Sequence, residues 1–324
     1  MKIAIDLLGG DNAPHATLGA LEELLKLHPD WQYLAVGRAG ELALLPESPQ
    51  IQAVTCGSVM AMDEDVRNLL SKRDSSIWVA TELVKRGEAD AVISAGSTGA
   101  QMAAATLLLG RIKGVERPAI GTLLPTKNGG KLLLDVGANP DCTPQMLLQF
   151  AQMGAAYTHC VLGVEQPKVA LLANGTEDHK GSELTKAAFA LLKESGLSFL
   201  GNFEGRDLLN GDYDVMVCDG MCGNIALKSM EGAIGALMSM LKEELSANAK
   251  RKVGAALVMS GLKEVKKAMD YQEYGGAPLL GVGGISIICH GSSRERAIVR
   301  ACEVAEQCQR SGFVEQLRLA VQPA

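Results

Sequence analysis

The chain has 324 residues, 47% of them hydrophobic and only 4% aromatic, which is enough aliphatic material for one large core or two lobes. Its formal net charge of −6 argues against a general nucleic-acid binder, which needs a basic face to displace counterions from phosphates.

Short β-branched or Leu-rich runs alternate with longer helical patterns along the chain. The first stretch predicts a strand at 2–6, a helix at 15–27, strands at 31–37 and 51–55, a helix at 76–87, a strand at 90–94 and a helix at 97–111. The second predicts strands at 119–124, 131–137, 168–174, 198–203, 213–218 and 285–289, with helices at 143–159, 181–195, 223–247 and 293–311. This is βα alternation, so the expected fold is α/β, a mainly parallel sheet covered by helices on both faces. Residues 225–270 depart from it: two helical patterns follow one another with no strand between, which predicts a helical hairpin projecting from a single α/β domain that spans 1–324.

The eight cysteines are scattered, mostly in apolar runs, and read as reduced thiols of a cytoplasmic protein. Cys218 and Cys222 form the alternative, a metal site, but their spacing lacks the usual partners. No apolar stretch reaches transmembrane length, and the strand-like KIAID at the start reads as a chain without a signal peptide.

Glycine-rich polar segments hang on the ends of the apolar runs: LLGGDNAP (7–14), SAGSTGA (94–100), LDVGAN (134–139), LLANGTEDHKG (171–181), CDGMCGN (218–224), YGGAPLLGVGG (274–284) and CHGSS (289–293). Ligands of open α/β sheets collect at the carboxyl ends of strands, where backbone N–H groups and helix dipoles suit an anion, phosphate above all. In the first segment Gly9 and Gly10 allow close backbone approach beside Asp11 and Asn12, or make a structural turn. Gly96, Ser97, Thr98 and Gly99 offer hydroxyls and N–H groups at a helix start, for phosphate or as an ordinary cap. Asn139 follows Asp135 in a tight turn. Lys180 is an oxyanion or phosphate partner; Asn224, beyond Asp219, donates to a carbonyl oxygen or caps a helix. No GxSxG elbow, P-loop, HExxH or full GxGxxG occurs, so serine acyl enzymes, P-loop nucleotidases and zinc proteases lose their sequence support.

Taken together, IAIDLLGGDNAP, DAVISAGSTGA, LGRIKGVERPAI, LLDVGAN, NGTEDHKG, GNFEGRD, VCDGMCGNIALK, YGGAPLLGV and IICHGSS run in order over nearly the whole chain and closely resemble the PlsX family of acyl-acyl carrier protein:phosphate acyltransferases. Two departures stand out: Leu7-Leu8 where the family commonly has Ala-Met, and Ser97 where it commonly has Asn. The resemblance implies a three-layer α/β/α fold shared with phosphate acetyltransferases and isopropylmalate-type dehydrogenases, normally in a homodimer, with no cofactor and no metal. It implies transfer of a long-chain fatty acyl group from acyl carrier protein to inorganic phosphate, giving an acyl phosphate for phospholipid synthesis that a downstream glycerol-3-phosphate acyltransferase could consume. Lys180 and Asn224 then orient phosphate and stabilise the oxyanion, Gly96, Ser97, Thr98 and Gly99 cradle phosphate, and Asp11, Asn12, Asn139 and Asp219 support them. In the hairpin, Lys250, Arg251 and Lys252 precede an apolar stretch containing Leu257, Val258 and Leu262, and Lys263, Lys266 and Lys267 follow. That pattern suits peripheral contact with an anionic membrane or docking of an acidic carrier protein, or else buried dimer packing. The rivals are a phosphate acyltransferase that uses acyl-CoA, an NAD-dependent hydroxy-acid dehydrogenase and a non-catalytic scaffold.

Overall fold

The computed structural model describes residues 1–126, 129–268 and 275–321. The elements are β1 Lys2–Asp6, α1 His15–Leu27, β2 Gln32–Gly37, α2 Ala39–Leu42, β3 Ile51–Thr55, α3 Ser76–Lys85, β4 Ala91–Ser94, α4 Thr98–Leu108, β5 Ala119–Thr126 and β6 Gly129–Leu134. They continue with α5 Pro144–Cys160, β7 Lys168–Leu172, α6 Glu183–Glu194, β8 Ser198–Phe203, β9 Val215–Val217, α7 Gly220–Ser246, α8 Ala249–Ala268, β10 Ala277–Leu280, β11 Ile285–Ile288, α9 Glu295–Arg310 and α10 Phe313–Ala320. Most lie where the periodicity put them. Three do not: the short α2 lies between two strands where no helix was expected, β10 falls in a Gly-rich stretch read as loop, and α10 follows a helix end marked by Gly312 at φ 63°.

All the strands join one sheet in the order β3-β2-β1-β4-β11-β10-β5-β6-β9-β7-β8. Inner strands are apolar on both faces, as a sheet buried on both sides requires. Ile3 and Ile5 of β1, Leu132 and Leu134 of β6 and Val215 and Val217 of β9 pack into one core with α1, α5 and α9. Their alternates turn to the opposite side, Ala4 against α3 and α4, and Leu133 and Met216 against the start of α7. Three layers result.

Strand direction decides where the site forms. β1, β2, β3, β4 and β11 are mutually parallel, β6, β9, β7 and β8 likewise, but β10 and β5 pair antiparallel with each other and with their outer neighbours β11 and β6. The two halves therefore point toward each other. Ile288 at the end of β11 pairs with Ala277, Leu279 pairs with Ile120, and Gly121 pairs with Leu134 at the end of β6. The carboxyl ends of both halves thus fall within about two residues of one another along the strands, roughly 7 Å. Loops from both halves face one central cleft.

Caps fix the helices that begin at those ends. Thr143 Oγ1 accepts from the N–H of Met146 at 3.1 Å with Pro144 in the first turn of α5, and Asp219 accepts from the N–H of Cys222 at 2.8 Å to start α7. α7 is 27 residues long and turns directly into α8, the hairpin expected over 225–270, of which 269–270 lie outside the described residues. Among the described residues no helix is long and apolar enough to cross a membrane.

Candidate active site

Two buried carboxylates, one from each half of the sheet, organise the turns around the cleft. At the end of β1, Asp6 accepts from Ser94 Oγ at 2.7 Å and from the N–H of Leu8 at 3.0 Å. Ser94 Oγ in turn accepts from the N–H of Gly96 at 3.0 Å, so one carboxylate ties the GGDN turn to the SAGST turn. The two turns touch: a Cβ on Gly9 would stand 2.5 Å from the Gly96 nitrogen. Just beyond β6, Asp135 accepts from the N–H groups of Ile120, Ala138 and Asn139 at 3.1, 3.1 and 2.7 Å and from Asn139 Nδ2 at 3.0 Å. Those bonds end β6 at Leu134, short of the predicted 137, because they bend the backbone away from its neighbours. Burial pushes both carboxyls above the usual range, while their hydrogen-bond donors act in the opposite direction.

The predicted residues divide in two. Asn12, Asn139 and Asp219 already spend their side chains on the scaffold: Asn12 Nδ2 donates to the carbonyls of Ser292 and Ser293 at 3.1 and 3.2 Å, Asn139 Nδ2 to that of Pro118 at 2.7 Å, and Asp219 caps α7. Asp11 joins Asn12 beside a separate hollow of about 320 Å³ that also touches His15 and Arg294. By contrast Ser97, at the N-cap of α4, makes no side-chain bond to the helix. Among the described residues the first-turn N–H groups at Thr98, Gly99 and Ala100 make no hydrogen bond, an arrangement that suits an anion at the positive end of the helix dipole.

Thr98 and Asn224 meet across a cleft of about 220 Å³, walled also by Ile120, Val136, Leu227 and Ile288. Among the described residues the Asn224 side chain makes no hydrogen bond, so its amide is available to a ligand. Gly223 makes this placement possible. A methyl group there would overlap the Asp135 carbonyl oxygen, and one on Gly220 would lie 2.7 Å from that of Asn139. Lys180 sits in the loop after β7, two strands from β6 in the sheet, with its Cγ 2.8 Å from where a Cβ of Gly175 would stand; it does not line the cleft.

The cleft holds polar residues that sequence reasoning did not assign. Lys228, one turn after Asn224, lies 3.1 Å from His290 Nε2 and 3.1 Å from Glu231 Oε2, and His290 Nδ1 lies 2.7 Å from Ser292 Oγ. The N–H of Ser292 also points at Nδ1, at 3.3 Å, so the ring is held from both sides. The signal was present as the i, i+4 spacing of Asn224 and Lys228 on one helix face.

The cysteines fit neither nucleophile nor metal ligand. Burial pushes Cys289, beside the cleft, up to about 12, and buried Cys218 also lies well above its ordinary value. Partial burial of its sulfur and the adjacent Asp219 push exposed Cys222 up to about 11, although a helix N-terminus by itself favours thiolate. Iodoacetamide modification of Cys222 is accordingly expected to accelerate roughly tenfold per pH unit from neutrality to about pH 10, as the thiolate fraction rises. Peptide mass spectrometry over a pH series checks this; a rate already at its plateau near pH 8 contradicts it. Among the described residues no cluster of three or more His, Cys, Asp or Glu could hold a metal ion.

The sequence profile of a family described as "Fatty acid synthesis protein" matches residues 1–316. A phosphate acyltransferase of Desulfitobacterium hafniense (strain DSM 10664 / DCB-2) is 52% identical over 98% of this chain and 97% of its own. The fold resembles a phosphotransacetylase from Streptococcus pyogenes, with a TM-score of 0.62 at 17% identity over 95% of this chain and 94% of that one. It also resembles 4-hydroxythreonine-4-phosphate dehydrogenase from Klebsiella pneumoniae, with a TM-score of 0.55 at 13% identity over 94% and 98%. A family match over residues 1–316 and half-identity over nearly the whole length settle the matter of kinship: the chain belongs to the fatty acid synthesis protein family of phosphate acyltransferases.

Proposed function

We propose that this phosphate acyltransferase moves a long-chain fatty acyl group from the thioester of acyl carrier protein to inorganic phosphate. The observation that carries the reading is that Thr98, in the first turn of a helix whose N-cap Ser97 makes no side-chain bond to it, meets across one cleft the Asn224 amide, which makes no hydrogen bond among the described residues. Hydrogen phosphate rests on the α4 N–H groups with Thr98, and the ammonium of Lys228 beside His290 balances its charge. A phosphate oxygen attacks the thioester carbonyl, and Asn224 Nδ2 donates to the oxygen as it gains negative charge. The tetrahedral adduct collapses by C–S cleavage. The proton that hydrogen phosphate carried ends on the leaving thiolate, leaving acyl phosphate and free carrier thiol. Phosphate is itself the nucleophile, so positioning and charge stabilisation suffice, in keeping with thiols held above neutrality.

Lys180, outside the cleft lining in the loop after β7, serves as a second cation for the phosphate or the carrier. The hairpin serves attachment: Leu257 is 80% exposed and Val253 and Val258 are exposed beside it, with Lys250, Arg251 and Lys252 at the start of the same helix. Arg251 pairs with Glu244 across the hairpin turn, while Leu262 turns inward. The side chains of Lys263, Lys266 and Lys267 lie outside the described set. That face suits an anionic bilayer surface, the acidic carrier protein, or a second copy in a homodimer.

The test is phosphate-dependent release of free thiol from purified hexadecanoyl-acyl carrier protein, compared with hexadecanoyl-CoA. Release from the carrier thioester is expected to exceed release from the CoA ester; the reverse order, or release independent of phosphate, rejects the reading. In the same assay Lys228→Ala is expected to raise the KM for phosphate about tenfold, as loss of one charge-assisted contact implies. Lys180→Ala is expected to lower turnover; unchanged turnover and phosphate affinity would remove Lys180 from the site.

A further inference from the structure

Acyl transfer to hydrogen phosphate frees a proton that has to reach the departing sulfur. In the tetrahedral adduct the phosphate and the sulfur are bonded to one carbon, so direct passage closes a small ring and bends the hydrogen bonds away from the linear arrangement they prefer. A side chain that takes and then gives the proton removes that constraint. Among the described residues that line the cleft, His290 is the one histidine, the residue type that exchanges protons near neutrality. Glu231 is drawn to Lys228 at 3.1 Å and burial pushes the Cys289 thiol up to about 12, so neither fills the role. The turn that carries His290 is fixed at both ends. The N–H of Cys289 donates to the Ser94 carbonyl, that of Asp11 to the Gly291 carbonyl and that of Ser293 to the His290 carbonyl, each at 2.8 Å. Asn12 Nδ2 closes the turn through the carbonyls of Ser292 and Ser293.

Lys228 Nζ lies 3.1 Å from His290 Nε2, so a phosphate oxygen held by the ammonium comes within hydrogen-bond reach of the ring. Asn224, one turn before Lys228, brings the thioester carbonyl to the same wall. We propose that His290 carries the proton from phosphate to thiol: Nε2 takes it from hydrogen phosphate as another phosphate oxygen attacks the thioester carbon, and gives it to the sulfur as the C–S bond breaks with its electron pair. The ring is neutral before and after. This rests on the acyl-transfer reading above and names the group through which its proton passes. On binding, the ammonium turns from Nε2 to the doubly negative anion, the stronger acceptor, and Nε2 faces phosphate in its place. The Ser292 hydroxyl, 2.7 Å from Nδ1, both donates and accepts, so Nδ1 keeps a partner whichever nitrogen holds the ring's proton. Lys228 and Glu231 of α7 share the cleft with the ring, and from the turn after β1 an Asp11 carboxylate oxygen lies 3.5 Å from where a Cβ of Gly291 would stand. Two carboxylates against one ammonium favour the transient imidazolium.

The experiment is phosphate-dependent thiol release from hexadecanoyl-acyl carrier protein by the full chain and its variants His290→Ala and His290→Gln. The ring is exposed, so neither substitution disturbs the core. Both variants are expected to lose roughly 100-fold in kcat with little change in the KM for phosphate. Glutamine keeps polar contacts to Lys228 and Ser292 but cannot carry a proton, so parental turnover in His290→Gln overturns the proposal. Added imidazole is expected to restore the kcat of His290→Ala about tenfold, whereas pyrazole, of the same size but far weaker as a base, is not. Equal rescue by both, or rescue by neither, overturns the proposal. NMR of the protein labelled with heavy nitrogen in its histidines supplies a measurement that does not depend on turnover. Inorganic phosphate alone is expected to shift the Nε2 resonance of His290, assigned by its loss in His290→Gln; an unmoved resonance overturns the proposal. Failure of the parent protein to release thiol would instead reject the acyl-transfer reading, and the resonance would still decide whether His290 meets phosphate.

Discussion

Replacing Asn224 with alanine is expected to lower kcat by roughly 100-fold to 1,000-fold, the usual consequence of deleting one donor to a developing oxyanion. The side chain is exposed to the cleft and carries no structural hydrogen bond among the described residues, so its loss leaves the fold intact and the effect falls on chemistry. Asn224→Asp should be no better, because a carboxylate cannot donate and repels both phosphate and oxyanion. Steady-state thiol release resolves the role. A fall in kcat with little change in the KM for phosphate marks a group that acts in the transition state, whereas a raised KM with kcat preserved would make Asn224 a phosphate ligand instead.

A second large effect concerns stability and lies one residue away. Gly223→Ala places a methyl group against the Asp135 carbonyl oxygen and 2.8 Å from Cys218 Sγ. That carbonyl belongs to the turn held by the Asp135 carboxylate, so neither side has room to yield. A loss of about 3 kcal/mol is expected, at the upper end for overpacking, with a fall in Tm of roughly 5–10 °C. Gly232→Ala on the same helix provides the contrast, since nothing lies within 4 Å of its Cβ position. It is expected to stabilise by up to about 1 kcal/mol through helix propensity. Thermal melts of the two variants should move in opposite directions; a Gly223→Ala melt equal to the parent's would show that the two turns are not locked together.

Local pattern placed several strands and helices to the residue. β1, α1, β3 and β8 occupy the ranges that periodicity assigned, because each is bounded by residues whose preference is local: Pro14 before α1, for example, or Ser198 after a Gly-containing turn. β10 escaped notice because its four residues, APLL, sit among glycines and become a strand only by pairing with β11 and β5. α7 begins at Gly220, three residues before the predicted start, because Asp219 caps it. The Gly-rich turns were recognisable as places for an anion, yet whether each polar side chain faces a ligand or its own scaffold was not. Asn12 and Asn224 look alike in sequence, but the side chain of the first is consumed by carbonyls 280 and 281 residues away and that of the second makes no hydrogen bond among the described residues.

The sequence by itself determined the βα alternation, the chemistry suited to phosphate and the family, since apolar period, turn residues and motif order are properties of neighbouring positions. Only the tertiary structure decided that the two half-sheets point their carboxyl ends at each other, that Asp6 and Asp135 hold the facing turns, and that Lys228 meets His290 62 residues further on. The physical reason is that strand order and direction are chosen by which apolar faces pack best across the whole sheet. No local stretch of chain carries that choice, and the cleft exists only where it has been made.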